Sequence, residues 1–112
     1  MTTYLQFARY SPAGMQSVLD SGMAARRETV AQALAEVGGK LLRFDLTVSG
    51  RFHFAQLIET PDAATLFAAN GLALRSGGFD PEVEIVELLD LDAFDARRAA
   101  VLGSGYVPPT RS

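Results

Sequence analysis

Few side chains in this 112-residue sequence are of types that do chemistry, and they fall into three groups. His53, the only histidine, sits between two aromatic residues in Ser49-Gly50-Arg51-Phe52-His53-Phe54, directly after a Ser-Gly turn. An imidazole there could act as a general base or ligate a metal or heme. A base, however, needs an orienting carboxylate, and no HxH or HExxH spacing accompanies it. Its main role is therefore expected to be structural: a partly buried ring holding the end of a sheet through a backbone or carboxylate hydrogen bond. Arg43 and Asp45, two residues apart, share one face of any strand that contains them, and form either an ion pair or a polar ligand contact. Tyr4 and Tyr10 carry phenols able to donate to a substrate oxygen, although packing is the commoner use of a tyrosine at such positions.

Composition closes off several other chemistries. With no cysteine, disulfides, thiolate nucleophiles and thiolate metal sites are excluded, and one histidine per chain supplies too few ligands for zinc, iron or heme. No cofactor or metal is expected. The net charge of −3 is scattered along the chain, which argues against nucleic acid or an anionic membrane as a partner. No apolar run approaches membrane-helix length and the amino terminus lacks a signal-peptide pattern, so the expected location is cytoplasmic. Arg26-Arg27-Glu28 and Arg97-Arg98 read as solvated helix surface. Gly38-Gly39 and Gly77-Gly78 each lie between a helix and a following strand, the reverse of the order a phosphate loop needs.

The elements that must position these residues follow from periodicity and punctuation. Thr2 to Tyr10 alternates as a strand. Ser11-Pro12 then opens a short helix bearing Met15, Val18 and Leu19, which breaks near Asp20-Ser21-Gly22 before helical spacing resumes through Met23, Val30, Leu34 and Val37. Lys40 to Val48 is the clearest strand, with Leu42, Phe44, Leu46 and Val48 opposed to Leu41, Arg43, Asp45 and Thr47, and a turn at 49–51 leads into a strand over Phe52 to Glu59. Thr60 as cap and Pro61 at the first helical position begin a helix ending near Leu74. A fourth strand covers Val83 to Leu88, Asp90 caps a last helix ended by Gly103, and residues 104–112 form a flexible tail after a single domain over 1–103.

This order predicts an α+β, ferredoxin-like split βαββαβ fold: a four-stranded antiparallel sheet with two helices on one face, plus a carboxy-terminal helix. If Leu42, Phe44 and Leu46 meet the helices, the opposite face carries Tyr4, Gln6, Ala8, Tyr10, Leu41, Arg43, Asp45 and Thr47. Its aromatic content predicts a homodimer packed through that open sheet face.

Several short motifs occur together: Tyr10-Ser11-Pro12 with Gly14, Gly38-Gly39-Lys40 before the second strand, a Gly-x-aromatic turn before the third, and Glu59 with Pro61-Asp62 before the next helix. As a set they resemble the GYD domain family, over about Thr3 to Phe94. The resemblance implies small bacterial proteins of ferredoxin-like fold that associate as dimeric α/β barrels, with no activity to carry over. Where the family has Gly-Tyr-Asp, this chain reads Gly50-Arg51-Phe52-His53, with Phe52 for tyrosine and His53 for aspartate. The expected function is that of a small homodimeric accessory or small-molecule-binding module. The alternatives are a cofactor-independent enzyme of the monooxygenase or isomerase type found among dimeric α/β barrels, and a purely structural interaction protein.

Overall fold

A computed structural model describes residues 1–109. The elements run β1 (Thr2–Tyr10), α1 (Pro12–Ser21), α2 (Met23–Glu36), β2 (Lys40–Leu46), β3 (Phe54–Thr60), α3 (Ala63–Arg75), β4 (Phe79–Leu88) and α4 (Leu91–Leu102). All neighbouring strands pair antiparallel in the order β2-β3-β1-β4, the ferredoxin-like arrangement. Helices α1, α2 and α3 cover one face of the sheet, while every residue of α4 is exposed. The radius of gyration is 18.1 Å and the longest extent 59 Å, well beyond the ~13 Å radius of a compact hundred-residue domain. Residues 104–109 of the expected tail carry no helix or strand; residues 110–112 lie outside the described residues.

The central strand settles which face is which. Tyr4, Gln6, Ala8 and Tyr10 are buried and meet the helices, in two clusters. Tyr4 packs with Leu34, Ile58 and Leu66, and Ala8 and Tyr10 pack with Phe54, Met15, Val18 and Phe79. Leu5, Phe7 and Arg9 therefore face the open side, which corrects the expectation that Tyr4, Gln6, Ala8 and Tyr10 lie there. Both sets on β1 are largely apolar, so alternation alone does not separate them. Arg9 decides the matter physically, because its guanidinium stays near water and donates to the carbonyls of Gly50 (3.3 Å) and Arg51 (2.7 Å). On β2 a register shift between Leu41 and Arg43 turns Leu41 inward and leaves Leu42 exposed, so Leu41 belongs to the helix side. Arg43 and Asp45 remain on the open side.

Local chemistry explains the element ends. The Ser11 hydroxyl caps α1 by accepting from the Gly14 amide (3.1 Å), and Pro12 fills the first helical position. Gly22, at φ 83°, separates α1 from α2 in a conformation costly for other residues. Asp62, rather than Thr60, caps α3: its carboxylate accepts from the Thr65 amide (2.8 Å) and hydroxyl (2.7 Å). Those same bonds hold the Asp62 carboxyl below its ordinary pKa. Thr60 instead ends β3, fully buried. β4 starts four residues earlier than its apolar run indicates and passes through Pro81, which an edge strand tolerates because one side of its backbone has no partner. Asp90 precedes α4 without a side-chain capping bond.

Candidate functional site

The helix layer does not close over the middle of the sheet. A cleft of about 1070 Å³ opens between α1, α2 and α3 above β1 and β3, with Gln6, Ala8, Tyr10, Phe54 and Gln56 on its floor. Its walls are mostly apolar, supplied by residues such as Val30, Leu66 and Ala69. One end is fixed by glycines. A Cβ on Gly14 would stand 1.8 Å from the Gly78 carbonyl oxygen, so α1 touches the turn before β4 backbone to backbone. Ser11 reinforces this contact, its hydroxyl donating to the Gly77 carbonyl (2.6 Å) and its amide to that of Gly78 (3.1 Å).

Polar groups on the floor fall into two sets. Gln6 and Asn70 exchange amide hydrogen bonds across the cleft (3.0 and 3.3 Å), joining β1 to α3, and Gln56 stands opposite Gln6 in the β1–β3 register. Nearer the glycine clamp, Tyr10 is 4% exposed and its hydroxyl has no hydrogen-bond partner. Burial pushes this phenol above its ordinary pKa of 10.0, and the neighbouring Arg26 guanidinium pulls it partly back. Arg26 itself lies over the Phe79 ring, 5.5 Å from its centroid. The guanidinium is thus near enough to act electrostatically on the phenol, but no well-formed hydrogen bond joins the two. A neutral donor and a fixed cation stand side by side where the cleft floor meets α2, an arrangement that can receive an oxygen acceptor from a bound molecule.

His53 lies just before β3, half-buried, and does not line the cleft. Its Nδ1 accepts from the Tyr10 amide (2.9 Å), its amide donates to the Ala8 carbonyl (2.9 Å), and its carbonyl accepts from the Thr47 amide (2.9 Å). Ala8↔Phe54 is the last β1–β3 pair, and the imidazole supplies the acceptor for the next free amide, that of Tyr10. Because Nδ1 accepts, a neutral ring carries its proton on Nε2. The ring also stacks on Tyr10, at a centroid distance of 6.1 Å and 17° between planes. His53 thus positions the strand end and the aromatic ring that bears the cleft hydroxyl.

The structure disperses the other candidates. Tyr4 is buried near the opposite end of β1 with its hydroxyl also unpartnered, but it does not line the cleft. Arg43 and Asp45 form an exposed ion pair at 2.6 Å on the open side, remote from the cleft floor. Only Tyr10 of the five sequence candidates reaches the cleft. Sequence reasoning missed Gln6, Asn70 and Arg26. Gln6 could have been found, since an amide inserted among Tyr4, Ala8 and Tyr10 at strand spacing marks a face that must satisfy a buried polar group. Arg26 reads as surface because the Arg26-Arg27-Glu28 run hides which arginine turns inward.

Among the described residues no group of three or more histidine, aspartate or glutamate side chains could hold a metal, and no helix is long and apolar enough to cross a membrane. A family model described as GYD domain matches residues 4–97, spanning every residue that lines the cleft. No curated protein matches the chain.

Proposed function

We propose, from the premise that this chain belongs to the GYD domain family, that it is a homodimeric binding protein for a small, largely apolar molecule held between its helices and its sheet. The observation carrying this reading is the open apolar cleft with a buried, unpartnered hydroxyl on its floor. A buried polar atom normally has a partner, and an unsatisfied donor in an apolar cavity is a place for one to arrive. The paired amides of Gln6 and Asn70 add a second polar anchor that would orient a guest.

Dimerisation through the open sheet face is supported by what that face contains. Leu5, Phe7, Leu57 and Val86 lie together at its centre by strand register, Val86 still 43% exposed, and Arg9, Arg43, Asp45 and Glu84 stand around them. An apolar centre within a polar rim is the composition of a protein interface.

Both halves are testable on the intact protein. Titration with indole, followed by amide nuclear magnetic resonance, is expected to give saturable shifts at Ala69, Asn70 and Gly78 with none at Arg43 or Asp45. Absence of saturation at millimolar indole, or shifts confined to the open face, overturns the binding reading. Light scattering is expected to give twice the 12.0 kDa chain mass, and a mass of 12.0 kDa at micromolar concentration overturns the dimer.

A further inference from the structure

The lining of the cleft is nearly without charge. Its charged members are Arg26 and Glu36, both on α2. They are ten residues apart, about 15 Å along a helix, so the carboxylate cannot neutralise the guanidinium. Among the described residues Arg26 has no carboxylate partner, unlike Arg43, Arg51 and Arg98. It is held instead by the Phe79 ring, beside the Tyr10 hydroxyl that has no acceptor. Phe54 and Phe79 flank Tyr10 at centroid distances of 4.8 and 5.4 Å, so the two unfulfilled donors stand at the edge of an aromatic cluster.

From this juxtaposition we infer that the ligand is an aromatic carboxylate, its carboxylate received by the Arg26 guanidinium and the Tyr10 hydroxyl and its ring laid beside Phe79. The inference rests on the cleft being the binding site. A guanidinium offers paired donors in the geometry of a carboxylate, and a phenol that burial keeps protonated supplies one more. The charge balance selects the class. One cation matches a monoanion, whereas a doubly charged phosphate would enter an apolar cleft half-neutralised.

The test compares 2-naphthoate with 2-naphthamide, which share a ring system and differ in charge, by calorimetry on the full chain. Naphthoate is expected to bind at least about tenfold tighter, as a charge-assisted pair in a partly buried site warrants. Arg26→Gln is expected to bring the ratio to about one, with naphthoate losing more affinity than naphthamide. Tyr10→Phe is expected to lower the ratio several-fold, and it provides an independent reading if Arg26→Gln does not fold by its amide spectrum. Equal affinities in the unaltered protein, or a preference that survives both substitutions, overturn the carboxylate assignment while the cleft remains a binding site. If neither compound binds and the cleft amides do not move, the binding reading fails and this inference with it.

Discussion

The two faces of the single sheet are built from alternate residues of the same strands, yet they are opposites in character. The face covered by the chain's own helices carries Gln6, Gln56 and Thr60 among its tyrosines and phenylalanine. The uncovered face carries Leu5, Phe7, Leu57 and Val86 at its centre, with Arg9, Arg43, Asp45 and Glu84 around them. The covered side thus holds uncharged polar groups among aromatic rings, whereas the open side sets an aliphatic centre within a charged rim. On the covered face Gln6 is engaged with Asn70 of α3 while the Tyr4 and Tyr10 hydroxyls have no partner, and the open face keeps its apolar centre uncovered by the chain's own helices.

The sharpest way to break this comparison is to make the open face polar. Leu57→Asp, which places a charge between the registers of Leu5 and Arg43, is expected to weaken dimerisation by roughly a hundredfold, about 2.7 kcal/mol, with the amide spectrum of the cleft residues preserved. Sedimentation over a concentration series checks this, and unchanged self-association would mean that the aliphatic face is simply wet. The covered face is probed at its clamp. Gly14→Ala must push α1 away from a backbone carbonyl that no rotamer change can move, and a loss of about 2 kcal/mol in urea unfolding is expected. Retained stability would show that α1 can lift from the turn before β4 without penalty.

His53 joins the two faces at the strand end, so its removal sharpens the comparison rather than breaking it. His53→Ala leaves the Tyr10 amide without its acceptor and is expected to cost about 1 kcal/mol. His53→Asn, whose side-chain oxygen falls near the position of Nδ1, is expected to recover most of that loss. Equal stability of the two variants would mean water replaces the imidazole. The smallest effect concerns pH and Tyr10. Its phenol is raised in the folded protein, so the stability it confers is complete below the unfolded value near 10.0 and is lost as pH rises above it. Between pH 9 and pH 11 the unaltered protein is expected to lose more stability than Tyr10→Phe, and identical slopes in the two would place the phenol in contact with solvent.

Much of the fold was legible because the signals were local. Ser11-Pro12, the glycine pairs and the alternation through Lys40 to Leu46 each state an element end or a strand without reference to the rest of the chain. The family resemblance was legible in the same way, from short turn motifs, and the match over residues 4–97 agrees with it. What did not read through was orientation. Tyr4 to Tyr10 presents two plausible inward faces, and the bulge at Leu42 breaks the period that would have linked β2 to β1. The cleft was invisible for a related reason: it exists because α2 and α3 stand apart over Gln6 and Gln56, and separation between helices is a property of packing that no single segment encodes.

The position of the imidazole has one practical consequence. A chain with a single histidine yields a single pair of ring-nitrogen resonances, so the spectrum needs no assignment. The Nδ1 signal reports the hydrogen bond from the Tyr10 amide, and through it the seating of an aromatic ring that lines the cleft. The purified molecule thus carries its own label at the junction between its strand end and its candidate site.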